Sequence, residues 1–227
     1  MDRVQLKKQA KEQIRGKIGI LFIITLIIAL ISGAAGFILG LIPFVGPLVA
    51  SIIITPAFAL SLARIYINIV AGKDASVNDT FSGFDDFWSA FKVTFLVGLF
   101  TFLWSLLFII PGIIKSYSYS MSMYVLAENK GMPALEAIDR SKKMTDGHKM
   151  ELFVLELSFI GWMLLVCITF GIAAIYAVPY MMTTEVNYYN EMKGAEAAKA
   201  MPKANPSPAA DTAPAAPEVI DEPKDAE

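Results

Sequence analysis

Residues 18–41 read IGILFIITLIIALISGAAGFILGL, and this stretch decides the fold class. It holds no charged residue and shows neither the alternation of a half-buried strand nor the one-sided stripe of a soluble helix. As a helix it rises ~1.5 Å per residue, long enough to cross a hydrocarbon core of about 30 Å. The rival reading is a cleaved signal peptide, because six Lys/Arg precede it and Ser32-Gly33-Ala34-Ala35 offers a cleavage-like site. Signal cores run only ~7–15 residues, so a retained span is expected.

Toward the N-terminus, residues 1–17 are highly polar, but Leu6, Ala10, Ile14 and Ile18 recur every fourth position. This predicts a short interfacial helix whose charges lie among lipid head groups. In the other direction a second apolar block covers 48–70. The link Ile42-Pro43-Phe44-Val45-Gly46-Pro47 is expected to be a tight turn. Residues 71–89 form a polar loop, and Phe81, Phe84, Phe87, Trp88 and Phe91 follow at helical spacing. They predict an amphipathic interfacial helix, with Asp85 and Asp86 on its solvated face. A third span is read at 91–110, stopped by Pro111-Gly112.

Residues 113–127, IIKSYSYSMSMYVLA, are ambiguous by hydropathy, and charge resolves them. The following loop, 128–150, carries Lys130, Arg140, Lys142, Lys143 and Lys149. Short basic loops stay cytosolic, as should the basic N-terminus, so an even number of spans must separate the two. Residues 113–127 are therefore the fourth span. Within the loop, Pro133 to Asp146 has the signature of a soluble amphipathic helix that Gly147 ends. Its stripe is Ala134, Ala137, Ile138, Ser141 and Met144, and Glu136–Arg140 and Asp139–Lys143 are spaced to pair. Residues 152–180 admit one tilted span or two shorter ones about a turn at Thr169–Gly171. Two spans, 152–168 and 171–190, return the C-terminus to the cytosol. Residues 194–227, rich in Ala, Pro and charge, are expected to be disordered.

The architecture is thus an all-α polytopic transmembrane helical bundle of six spans, with a short cytosolic amphipathic helix between spans four and five. Its location is the cell membrane, multi-pass, with both termini cytosolic. The net charge of −2 suggests no nucleic-acid partner, and one cysteine and one histidine make no metal site within a chain. No nucleophile–base set, phosphate loop or dinucleotide fingerprint is apparent, so neither a cofactor nor enzyme activity is expected.

Charges inside spans are expensive and therefore informative. Arg64 in span two and Glu156 in span five fall at similar depth, and we expect them to form an interhelical ion pair. Asn68, Glu185 and Asn187 could line a half-open cavity with Arg64. Small residues repeat every four at Ser32, Gly36 and Gly40 and at Ser118 and Ser122. They suggest close packing inside the bundle, with a homo-oligomer face as the alternative. The cytosolic helix, with Glu136, Arg140, Lys142 and Lys143, is the candidate docking surface for a protein partner, the lipid bilayer being the other partner. These features favour a non-enzymatic accessory or scaffold component. The alternative is a transporter or permease-like subunit for a small solute.

Four separated stretches, LKKQAKEQIRGK (6–17), LWSLLFIIPGIIKSYSYSMSMYVLAEN (103–129), EAIDRSKKMTDGHK (136–149) and LFVLELSFIGW (152–162), occur in order. Together they resemble the bacterial integral-membrane family known as domain of unknown function 975. The resemblance covers about residues 1–190 and implies a multi-span membrane protein with no assigned activity.

Overall fold

The computed structural model describes residues 3–41 and 45–200, with side chains described for 3–41 and 52–196. All regular structure there is helical: α1 (Arg3–Gln13), α2 (Ile18–Gly40), α3 (Val45–Val70), a 3-10 turn (Val77–Phe81), α4 (Phe87–Leu107), α5 (Ile109–Tyr119), α6 (Ser122–Glu128), α7 (Ala134–Met144), α8 (Lys149–Leu157), α9 (Ile160–Ile168) and α10 (Ala174–Ala200). Four stretches are long and apolar enough to cross a membrane: Ile18–Gly40, Ile52–Val70, Phe87–Leu107 and Lys149–Ile168.

The helices form three antiparallel hairpins. In the first, α2 returns as α3, and the Lys17 ammonium joins the two ends at the Lys73 carbonyl (2.6 Å) and Asp74 (3.3 Å). In the second, α4 breaks at Phe108, whose backbone is extended, and returns as α5 and α6. Phe100 meets Tyr119 at 6.1 Å and the Lys115 ammonium lies 4.7 Å over Trp104. In the third, α8 and α9 return as α10. Trp162 faces Tyr176, Phe159 faces Tyr180, and the Tyr188 hydroxyl donates to Glu151 at 2.8 Å. Thr169 and Gly171 make the turn, Gly171 at φ +90 and the Thr169 hydroxyl accepting from the Ala173 amide at 3.0 Å.

All three hairpins open toward the same end, because their open ends touch one another. Arg64 of the first meets Asp86 at the start of the second, and Glu128 of the second meets Tyr189 and Lys193 of the third. The opposite, tip end carries no charge in sequence: residues 18–63, 93–114 and 157–184 lack Asp, Glu, Lys and Arg. Leu41, Phe108, Ile109, Ile168 and Phe170 are exposed there. Apolar surface of this extent needs a cover other than water, and a lipid environment is compatible with it. The core is centred on α3, half of whose apolar window is buried, against 11% for α2 and for α4. It packs on α2, α4, α6 and α10.

Several expectations change. The α1 stripe of Leu6, Ala10 and Ile14 is buried against α10 rather than resting on lipid. Lys7 and Lys11 lie over the rings of Phe159 and Tyr180, which gives α1 a protein seat. The predicted amphipathic helix around Phe81 does not form. After the 3-10 turn the chain folds along α3, with Phe84 5.4 Å from Phe58, and α4 begins only at Phe87. Helix α4 then stops at Leu107, before Pro111. Pro111 falls in the first turn of α5, where its missing N–H costs nothing. The fourth predicted span is α5 and α6, interrupted at Ser120–Met121.

Among the described residues the glycine stripe of α2 packs against nothing, since a methyl at Gly36 or Gly40 would meet no described atom within 4 Å. Ser118 and Ser122 are buried. Helix α10 runs to Ala200, so the first residues of the expected disordered tail are helical; their Glu/Ala/Lys composition favours it. The rest of that tail, from 201 on, and residues 42–44 of the expected turn lie outside the described residues.

Candidate functional site

At the open end four helices each turn one stripe toward a common space. Helix α3 contributes Arg64, Ile67 and Asn68, and α10 contributes Tyr189, Lys193 and Glu196, both at the i, i+3/i+4 spacings that share a face. Arg140 and Met144 come one turn apart from α7. The end of α6 supplies Val125 and Glu128, followed by Asn129. They enclose a half-open cavity of about 600 Å³, within the range of small-molecule sites.

Its floor is a partly buried ion pair. The Arg64 guanidinium donates to the Asp86 carboxylate and the Ser82 carbonyl, and both charged side chains are only 15% exposed. Lys130 approaches the same carboxylate at 4.0 Å. The segment carrying Asp86 is fastened to α3 lower down, where the Gly83 amide donates to the Ser61 hydroxyl at 2.9 Å. One wall is closed by Glu128, which accepts from the Tyr189 hydroxyl (2.8 Å) and from Lys193 (2.7 and 2.9 Å). The Asn129 amide nitrogen donates to the Val125 carbonyl at 2.8 Å, leaving its oxygen available. The Asn68 side chain and the Arg140 guanidinium have no hydrogen-bond or ion-pair partner among the described residues.

Helix α7 is held by its buried stripe of Ala134, Ala137, Ile138, Ser141 and Met144, packed on α4 and α6. The Ser141 hydroxyl adds a bond to the Ser118 carbonyl at 2.9 Å. The stripe read from sequence thus faces protein, which turns Glu136, Lys142 and Lys143 outward and leaves Arg140 at the cavity edge, all four exposed. Lys143 pairs with Asp139 at 2.8 Å, as the spacing predicts. Its hydrogen bond is the chief reason the Asp139 carboxyl lies below the usual carboxylate range and the Lys143 ammonium above the usual lysine range. The expected Glu136–Arg140 pair does not form.

A match covers most of this architecture. The model of a family described as a protein of unknown function, DUF975, fits residues 1–115 and 107–196. The chain belongs to the DUF975 family. No curated protein and no solved structure matches it. The two matched stretches together take in all three hairpins of this DUF975 chain and every residue around the cavity.

Within it, the expected Arg64–Glu156 pair is not made. Arg64 is spent on Asp86 and Ser82, while Glu156 accepts from the Tyr117 hydroxyl at 2.5 Å. The reason is the 82–86 segment, which folds back on α3 and delivers a nearer carboxylate. Asp86 was expected on a solvated face; the fold withdraws most of it from water. Of the polar residues expected beside Arg64, Asn68 lines the cavity and the others do not. Glu185 accepts from Tyr124 at 2.9 Å, and Asn187 donates to Gln13 of α1 at 2.8 Å. Glu156 and Glu185 instead border a separate void of about 40 Å³ deeper in the DUF975 bundle. Glu128, Tyr189 and Lys193 were not foreseen. Their only sequence signal is that Tyr189 and Lys193 share a face of α10.

Proposed function

We propose that this DUF975 chain is a six-span, non-enzymatic membrane protein with both termini in the cytosol, an accessory or scaffold component that docks a protein partner on its cytosolic face. One observation carries this reading: the chain gathers its polar elaboration at a single end. The open end holds α1, the 71–86 segment, α7 and the polar cavity, while the tips are short, apolar and uncharged. A protein that only had to cross the bilayer would need none of this. The concentration of Lys/Arg at the open end supports a cytosolic side for it.

Two features support crossing by all three hairpins. Residues 109–128 form two nearly continuous helices of about 30 Å combined, the thickness of a hydrocarbon core. Near the second tip, Lys115 stacks on Trp104, the kind of amphipathic pair that reaches far-side head groups.

The docking surface is the outward face of α7. Affinity purification of the full chain in mild detergent, followed by mass spectrometry, tests it. A stoichiometric partner that is lost from the triple variant Glu136→Ala, Lys142→Ala, Lys143→Ala is the expected result. A chain that purifies alone, or a partner indifferent to those changes, removes the docking reading. Reporters inserted at 145–147 and at 170–171 test the topology, with opposite sides expected. One observation favours a second reading, a transporter or permease-like subunit: two carboxylates, Glu156 and Glu185, border the inner void with no cation on either. Solute flux in liposomes that Glu185→Gln abolishes would select it.

A further inference from the structure

The geometry points to a binding site for a small organic anion, bearing a carboxylate or phosphate, in the open-end cavity, with Arg140 as its principal contact. The argument is an account of which hydrogen-bonding capacity remains once the protein's own bonds are made. Three cations and two carboxylates line the space: Arg64, Arg140 and Lys193 against Glu128 and Glu196. Asp86 neutralises Arg64 from behind. Glu128 has both oxygens engaged, by Lys193 and Tyr189, and so offers little to a ligand.

What is left is dominated by donors. The Arg140 guanidinium presents five N–H groups in a planar fork suited to a carboxylate or phosphate. Asn68 adds an uncommitted amide on the opposite wall. Glu196, at the rim on the last turns of α10, makes no hydrogen bond or ion pair among the described residues, and it disfavours ligands of high negative charge. Ile67, Val125 and Met144 make the remaining wall apolar. The space therefore suits an anion with an apolar body rather than a bare ion. Such a molecule could be a soluble metabolite or the head group of an anionic lipid, and the chemistry of recognition is the same.

This inference goes beyond the docking reading and fails separately from it, because docking is tested on Glu136, Lys142 and Lys143 and the anion on Arg140. The full chain, purified in mild detergent, is unfolded by heat at fixed ionic strength with increasing phenyl phosphate, benzoate, or phosphatidylglycerol in mixed micelles. Phosphatidylcholine is the neutral reference. A saturable rise in midpoint with at least one anionic probe is expected, since a ligand of the folded state stabilises it by mass action. Response to benzoate or phenyl phosphate identifies a soluble anion; response to phosphatidylglycerol alone identifies a lipid. In Arg140→Gln the apparent affinity should fall at least about tenfold, as one charge-assisted contact is lost. Arg140→Lys, which keeps the charge but not the fork, should lie between. Lys142→Gln, two residues away on the outward face, should respond as the native chain does. No saturable shift with any probe, or an undiminished shift in Arg140→Gln, overturns the site.

Discussion

A methyl group added at Gly83 would lie 2.0 Å from the Ala57 carbonyl oxygen, whereas one added at Gly36 would touch nothing within 4 Å among the described residues. The first glycine belongs to the open half of the bundle and the second to the tip half of the first hairpin. In the open half the chain closes on itself: α1, the 77–86 segment and α7 all seat buried residues against the hairpins. In the tip half the hairpins turn exposed apolar side chains outward. One half takes its stability from contacts within the protein. The other leaves its surface to whatever surrounds it, and lipid has the matching chemistry.

The largest effect should come from the buried pair in the open half. Arg64→Leu leaves the Asp86 carboxylate enclosed with only Lys130 at 4.0 Å. Removing one partner of a fully buried pair costs about 3–5 kcal/mol, and this partly buried one should cost up to about 3 kcal/mol. Unfolding by SDS in mixed micelles measures it. The reciprocal exchange Arg64→Asp with Asp86→Arg should recover part of the loss. Arg64→Glu with Glu156→Arg should recover none, since Glu156 belongs to Tyr117. Recovery in the second exchange and not the first would move the pair to the partner the depth argument chose.

The next effect sharpens the contrast directly. Gly83→Ala forces backbone apart from backbone, and overpacking of this kind costs about 1–3 kcal/mol. Gly36→Ala should leave stability unchanged or raise it by up to about 1 kcal/mol through helix propensity. Equal losses in the two variants would mean that something packs on the tip half, and the comparison would collapse.

These two cases also show what was legible in the sequence. Helix α2, most of α3, α7 and the break at 169–171 could be read because each depends on local signals: an uncharged run, a periodic stripe, a proline before and a glycine after. The polar cavity was partly legible, since Arg64 and Asn68 stand out as polar groups in an apolar block, whereas Arg140 was read only as part of the docking helix. Their partners were not. Asp86 looks like a loop aspartate until the 82–86 segment is seen folded along α3, and Glu128 looks solvated until Tyr189 arrives from far along the chain. Depth along a helix could place Arg64 and Glu156 at one level, but it carries no information about azimuth or about a segment folding in between. The Gly36–Gly40 stripe meets no described neighbour within the chain for the same reason: spacing shows that close approach is allowed, not that a neighbour is present.

The smallest effect tests the outer skin of the open half, where charges face water instead of each other. Lys143 donates to Asp139 at 2.8 Å, yet both side chains are more than half exposed. The Asp139 carboxyl is held below its usual range, chiefly by that bond. Its contribution is therefore complete above the ordinary carboxylate value and is lost as pH falls through the lowered one. The Lys143 ammonium is shifted upward, so its contribution is complete below the ordinary lysine value and is lost as pH rises through the raised one. Between the two limits the advantage of the native chain over Asp139→Asn should be small and flat with pH. It should close at both extremes and shrink with added salt, because exposed pairs are screened. The penalty of Arg64→Leu, arising where both side chains are largely withdrawn from water, should persist at the same salt concentration. If salt erased both penalties alike, the 82–86 segment would not exclude water from the Arg64 pair, and the open half would be a surface rather than a core.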